Sequence, residues 1–437
     1  MQRSVFTDAS EAVAAARGAF VRYSRLSLNN RKEIIMGLRN ALYPLAETLA
    51  EMTVAETGMG NAADKTIKNR LATTETAGVE DLTTEVYTGD HGMTLFELSA
   101  YGVVCAAQPK TNPCATLINN TIAALAAGNA IIHCPHLRAV TVSAYLTEKI
   151  NEVVSAICGI ENLVVMVDSL QKEVTWEVMN HPDVDLVVCT GSAHSLRQAV
   201  HCGKKFIAAG PANPVAMVDD TANINKAAED IVAGASFDYN LMCTSEKNVV
   251  IMDVVTNQFI GELQRCGAFY TADEADINKL THLVITGDGL MNKRWEGKSA
   301  SELLNAAGIP CKTVPKVIFA EVPVTHSFVA LELMMPLVPL VRVAIFEEML
   351  AAGLMIERHC RHTATFHSQN VERLGRVAKE LQTAVFVKNG SSFNGIGFDG
   401  EGTASFTIGT LTGEGPVSAR HFAKRRRCVL TDGFSIR

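Results

Sequence analysis

Between Val103 and Ala208 short apolar runs and amphipathic stretches alternate at nearly even spacing, and this alternation leaves the chain few architectures. Val103 to Ala107 reads as a strand. A helix from Thr116 to Ala127 stops at Gly128-Asn129, a favourable carboxy-terminal cap because glycine enters the left-handed region at little cost. A strand over Ala130 to His133 precedes a helix carrying Val142, Leu146, Ile150 and Val153. Strand Leu163 to Val167, a helix around Val174 and Val178, strand Leu186 to Cys189, a helix with Leu196 and Val200, and strand Lys205 to Ala208 complete the series. Strands that are each followed by a helix assemble as a parallel, doubly wound α/β sheet.

The flanks differ. The first 80 or so residues read as helices, with Leu38, Leu42, Leu45 and Leu49 on one face and Gly58 and Gly60 ending the segment. From Thr84 short β-like runs, including Met93 to Leu98, surround the turn Gly89-Asp90-His91-Gly92. A second α/β unit is expected from near Asn213 to about Ser405. Its glycine-rich stretch Asn394 to Gly402 reads as a mobile or cofactor-covering loop. The tail, with Val429-Leu430 and Phe434 to Ile436, reads as an exposed-edge strand suited to a partner subunit.

A chain of 437 residues has length for two or three domains. Its net charge of −7 argues against nucleic acid or an anionic membrane as partner. The one basic run, Arg425 to Arg427, has no interleaved aromatic for base stacking and reads as a solvated edge or an interface salt-bridge set. The amino terminus lacks the basic head and apolar core of a secretory signal. The longest apolar run, Phe328 to Phe346, contains Glu332, Pro336, Pro339 and Arg342, and so reads as buried strand and turn instead of a membrane span. Eleven cysteines without a CxxC pair suit a reducing, cytoplasmic compartment, with most of them small core residues.

Among those cysteines Cys243 stands apart. A helix, apolar at Ile224, Ala227, Ala228, Ile231 and Ala235, breaks into a polar turn with Asn240, Thr244 and Ser245, and a strand from Asn248 to Asp253 follows. A thiol displayed on a turn between packed elements is where a nucleophile would sit. The segment Lys204 to Val218 carries no Asp or Glu; a thioester enzyme that hydrolyses its intermediate needs a base there to activate water, whereas one that passes the acyl group to another thiol does not. Asn112, in Pro109-Lys110-Thr111-Asn112-Pro113, lies on a stiff loop between strand and helix; its plain alternative is a turn residue. Thr190-Gly191-Ser192 follows a strand and opens a helix, a place for a pyrophosphate, although many βα turns look alike. Gly297-Lys298-Ser299 lacks the leading glycine and strand of a phosphate loop, and His133 with His136 looks structural. His359, His362 and His367 are spaced poorly for one helix face, so no metal is expected.

Longer runs carry a family resemblance. ETGMGNAADK (Glu56 to Lys65), GVEDLTTE (Gly78 to Glu85), PKTNP, ALAAGN (Ala124 to Asn129), GASFDYN (Gly234 to Asn240), ELMMPLVPLVRV (Glu332 to Val343), FVKNG (Phe386 to Gly390) and the tail from Thr412 together resemble coenzyme-A-acylating aldehyde dehydrogenases over essentially the whole chain. The nearest branch is that of bacterial microcompartments, which act on propionaldehyde or acetaldehyde from propanediol or ethanolamine breakdown. The resemblance implies an aldehyde dehydrogenase fold: a Rossmann-type cofactor domain over 1–83 and 101–210, an α/β catalytic domain over 211–405, and a β oligomerisation arm and tail over 84–100 and 406–437. It implies that Cys243 is the nucleophile and that the Asn112 amide and the Cys243 N–H hold the oxyanion. It also implies that Glu332 binds the nicotinamide ribose and that Thr190, Gly191 and Ser192 receive the pyrophosphate, with Pro109 and Thr111 beside the cofactor. NAD, or NADP, would take the hydride and coenzyme A would be co-substrate. A homodimer or homotetramer is expected, in the cytoplasm or a microcompartment lumen.

Some residues depart from the family pattern. Met242 replaces the usual Pro before the nucleophile, with Thr244-Ser245 after it. Ala208, Pro211 and Ala212 occupy glycine or alanine positions, Ala193-His194 stands for Pro-Gly, and Cys134-Pro135 lies where hydrolytic relatives carry a ribose-binding lysine. The family's encapsulation helix is not expected, since the chain opens near the catalytic core. Two rival readings follow: a hydrolytic dehydrogenase, which the missing glutamate near Ala208-Ala209 opposes, and a catalytically weak homologue with a structural or interaction role, which Met242 and Pro211 would favour.

Overall fold

The computed structural model describes residues 4–168, 172–191, 193–434 and 436. The chain divides into two compact units, Met1–Thr57 with Thr66–Ala209 and Gly402–Arg437, and Gly58–Lys65 with Gly210–Glu401.

In the first unit six parallel strands lie in the order Val5–Phe6, Val164–Val167, Ala130–Cys134, Val103–Ala107, Leu186–Cys189, Lys205–Ala208. Chain order reverses direction at Val103–Ala107, whose neighbours are the next strand in sequence on one side and Leu186–Cys189 on the other. Doubly wound sheets bind ligands at such a switch point, beyond the carboxyl ends of the strands. The loops leaving those ends carry Pro109 to Asn112 and Thr190-Gly191. Val103–Ala107, Ala130–Cys134, Val164–Val167 and Leu186–Cys189 are buried along their full length, which is why they read as continuous apolar runs without alternation.

Val5–Phe6 joins this sheet through Met166 and Val167, a strand too short to register as a pattern in the sequence. The leucine face expected over Leu38 to Leu49 is shared by two helices, Leu28–Leu42 and Ala46–Thr57, because Pro44 cannot continue a helix; Leu38, Leu42 and Leu49 remain buried. Glu85–Gly89 and Gly92–Ala100 form a hairpin, and Ala423–Thr431 pairs antiparallel with Gly92–Ala100 along its whole length to form one edge of a three-stranded sheet. Phe434 lies beyond that strand.

In the second unit seven strands are all parallel, in the order Phe269–Thr271, Ile318–Glu321, Leu337–Val343, Asn248–Met252, Val215–Val218, Thr363–His367, Val385–Lys388. Alternate residues serve opposite faces. Val215, Met217, Val250 and Met252 pack with Phe328, Met349 and Phe366, whereas Ala216, Val218, Val249 and Ile251 pack with Ile231, Phe259 and Leu340. The apolar run through Phe346 becomes the short helix Ser327–Ala330 and the strand Leu337–Val343. The glycine-rich stretch opens with a 3₁₀ turn, Ser392–Ile396, whose Phe393 ring meets Phe237 and Phe398 edge-on. No described helix is long and apolar enough to cross a membrane.

Candidate active site

Helix Ile224–Ser236 begins at Asn223, whose side chain accepts from the Lys226 N–H, and buries its apolar face. It ends abruptly. Asp238, Tyr239 and Asn240 all take left-handed backbone angles, with φ of 46°, 54° and 60°. For residues with a β-carbon this conformation costs about 1–2 kcal/mol each, so the turn persists only because its surroundings hold it.

Two sets of polar groups do so. The Asp238 carboxylate pairs with Lys65 Nζ at 2.9 Å and accepts from the Asn61 N–H at 3.0 Å, while the Asp238 N–H donates to Asp64 Oδ2 at 2.7 Å. The Asn240 side-chain amide donates to the carbonyls of Ala235 and Glu246, and Lys247 Nζ donates to both oxygens of Asn240. Two glycines leave room: a β-carbon on Gly60 would come within 2.0 Å of Asp238 Oδ1, and one on Gly234 within 1.9 Å of Glu246 Oε2.

After the turn the chain runs inward. From residue 241 to residue 250 only Cys243 is not buried. Leu241 and Met242 pack inside on one side, and on the other the Lys247 and Asn248 N–H groups donate to the Pro214 carbonyl. Met242 therefore serves as an anchoring apolar side chain at the position where proline is usual. Cys243 is presented on a rigid, strained support, which is the arrangement a nucleophile needs.

Several buried titratable groups lie around Lys247. Lys247 is fully buried, and desolvation pushes its pKa down to about 8 against the pull of Glu332, Cys243, Glu246 and Glu296. Glu332 lies just before the Leu337–Val343 strand; desolvation pushes its carboxyl up to about 7 while Lys247 opposes that rise. Glu246 is pushed up to about 7 by burial, moderated by the Ser392 N–H and hydroxyl, each at 2.8 Å. His362 and His367 are buried and depressed to about 4, chiefly by desolvation, which keeps them neutral.

In the first unit Asn112 stands at the amino end of the fully buried helix Pro113–Ala127, with Pro113 in the first turn. Its side chain does not cap that helix. Oδ1 accepts from Lys68 Nζ at 2.5 Å, and Nδ2 reaches Thr111 Oγ1 at 3.3 Å. Pro109 and Thr111 are half-buried on the same loop. Thr190 turns inward: its hydroxyl bonds Thr407 Oγ1 at 2.8 Å and its N–H donates to the Ala107 carbonyl. Gly191 is the exposed member of that turn, and Ser192 lies outside the described residues. Cys134 Sγ also points inward, 3.7 Å from Cys105 Sγ. Ala208, Ala209, Pro211 and Ala212 all lack positive φ, so the strain that non-glycine residues could have introduced there is absent.

The model of the aldehyde dehydrogenase family matches residues 1–275. The propanal dehydrogenase (CoA-propanoylating) of Salmonella typhimurium is 47% identical over 437 residues, 100% of this chain and 94% of that protein. The chain belongs to the aldehyde dehydrogenase family. Its similarity lies with the coenzyme-A-acylating branch. A structure of Rhodopseudomonas palustris propionaldehyde dehydrogenase with bound CoA and an acylated cysteine matches at a TM-score of 0.98 and 43% identity, covering 100% of both chains. A propionaldehyde dehydrogenase from the Clostridium phytofermentans fucose utilisation microcompartment matches at 0.97 and 40%, again over 100% of both.

Within an aldehyde dehydrogenase chain the motifs acquire physical roles. ETGMGNAADK supplies Gly60, Asn61, Asp64 and Lys65, and GASFDYN supplies Gly234, Asp238 and Asn240, the two halves of one clamp on the turn before Cys243. Sequence reasoning assigned no part to Lys65, Asp238, Glu246, Lys247 or Lys68. The available signal was charge set among small and apolar neighbours, which marks burial as well as it marks a surface.

Proposed function

We propose that the protein oxidises a short aldehyde, propionaldehyde or acetaldehyde, to its acyl-coenzyme A. The observation that carries the proposal is the lone, partly exposed Cys243 in an otherwise buried segment behind a clamped left-handed turn. Cys243 Sγ adds to the aldehyde carbon to give a thiohemiacetal, the Asn112 amide and the Cys243 N–H serve its oxygen, and loss of hydride leaves a thioester. Thr190 and Gly191, beyond the carboxyl ends of the first sheet at its switch point, would hold the phosphates of NAD or NADP, and Glu332 the nicotinamide ribose; the bound group would supply the hydride acceptor. The groups present fit such a ligand: Gly191 is exposed, with no atom nearer than 3.7 Å to where its β-carbon would be. The coenzyme A thiol then gives up its proton to solvent and its sulfur displaces Cys243 from the acyl carbon, releasing acyl-CoA and returning the Cys243 thiolate. Ala208 and Ala209 are buried methyl groups where a hydrolytic enzyme would hold its base, so water gains no activation there.

The nucleotide-binding role belongs to the first unit and the nucleophile to the second; residues 84–100 and 406–437 form the arm. Val86, Tyr87, Val429, Leu430 and Phe434 are exposed on or beyond the three-stranded sheet, a surface suited to a second copy in a homodimer or homotetramer. The setting proposed is the cytoplasm or a microcompartment lumen; the similar Clostridium phytofermentans enzyme comes from a fucose utilisation microcompartment. A single turnover with propionaldehyde and NAD, without coenzyme A, should leave one acyl group on Cys243 by peptide mass spectrometry. Acylation elsewhere, or none accompanying NADH formation, would reject the assignment.

A further inference from the structure

Lys68 is 1% exposed, among the largest fully buried side chains of the chain. Burying an ammonium costs several kcal/mol after relaxation, so the groups that receive it are informative. One is the amide oxygen of Asn112, at 2.5 Å. An ammonium can only donate, so this bond orients the amide with Oδ1 toward Lys68 and Nδ2 away from it. Asn112 would otherwise satisfy its oxygen by capping the helix Pro113–Ala127, as asparagine commonly does; it makes no such bond. The lysine is held in turn. Its neighbour Asn69 donates through Nδ2 to the Ala46 carbonyl at 3.1 Å, and Thr73 Oγ1 donates to the Asn69 carbonyl at 2.7 Å, which pins the helix Ala62–Glu75 around it.

We propose that Lys68 is the positioning residue of the oxyanion donor: its ammonium grips Asn112 Oδ1, turns Nδ2, which reaches Thr111 Oγ1 at 3.3 Å, away from itself and polarises its N–H bonds. This rests on the reading of Asn112 as that donor. A cation on the amide oxygen draws electron density from nitrogen, so the N–H donates more strongly as negative charge grows on the substrate oxygen, and hydrogen bonds in a chain reinforce one another. Orientation and charge are separable contributions. A neutral donor at position 68 keeps the first and loses the second.

The test is a double-mutant cycle on the full-length enzyme, with kcat for coenzyme-A-dependent oxidation, KM for NAD and the iodoacetamide alkylation rate of Cys243 as readouts. N112A should lower kcat by roughly 10²–10³, as loss of one oxyanion donor does. K68M should lower kcat by about 10–10², with K68Q between it and wild type, while KM for NAD and the alkylation rate stay unchanged. In the N112A background K68M should cost less than about threefold, because its route of action is already gone. A K68M enzyme with wild-type kcat, or one that loses the same factor in both backgrounds, overturns the proposal. An N112A enzyme with wild-type kcat removes the oxyanion reading itself and the proposal with it, by a result distinct from the other two. Should K68M not fold, K68Q in both backgrounds is judged by the same criterion.

Discussion

Cys243 owes its standing to the residues behind it. Lys247 is a buried ammonium that interacts electrostatically with Glu332 and the Cys243 thiol, and it ties off both oxygens of Asn240. Lys247→Met removes the cation and strands two buried acceptors, so the alkylation midpoint of Cys243 should move to higher pH and the rate at pH 7 should fall about tenfold, measured with iodoacetamide. Glu246 yields a stability prediction. Native Glu246 holds its proton to about pH 7, whereas an unfolded chain releases it near 4.5, so the native state binds more protons between those limits. Stability should therefore fall as pH rises through that window, by roughly 3 kcal/mol in full. Glu246→Gln should flatten the decline, visible as a smaller difference in Tm between pH 5 and pH 8 than wild type shows. An equal difference would mean that Glu246 is ionised throughout.

Elements were legible wherever a period repeated. The strands Val103–Ala107, Leu186–Cys189 and Lys205–Ala208 and the cap at Gly128, with φ of 91°, follow directly from apolar runs and punctuation. The left-handed turn was not legible. Asp238-Tyr239-Asn240 carries no glycine, and its angles are imposed by Lys65, Asn61, Asp64 and Lys247, residues whose approach no local pattern encodes. Gly234 exposes that imposition. In a helix alanine is favoured over glycine by about 1 kcal/mol, yet here the new methyl would press on the Glu246 carboxyl. Gly234→Ala should therefore destabilise the protein by about 1–3 kcal/mol, read as a lower Tm, and should slow turnover by disturbing the support of Cys243. A gain in Tm would show that Glu246 can move aside freely.

At the scale of the molecule, chain order and strand count followed from the sequence less completely than the strands themselves. The sequence alternation reaches the parallel sheets but not the contribution of Gly58–Lys65 to the second unit, because that segment is brought there by a handful of polar contacts to Asp238. The arm was legible as an exposed edge. If the proposed homo-oligomer forms through this edge, removing residues 423–437, which strips the whole strand paired with Gly92–Ala100, should give a smaller species by light scattering; an unchanged oligomer mass would contradict that contact. The central claim is that the acyl group waits on Cys243 for a thiol because Ala208 and Ala209 stand where a hydrolytic enzyme would hold its base. Product identification by mass spectrometry, with and without coenzyme A, addresses it directly. Propionaldehyde and NAD should give propionyl-CoA and NADH in equal amounts when coenzyme A is present, and no more than about one NADH per site without it. Free propionate formed at the same rate in both mixtures would contradict the account.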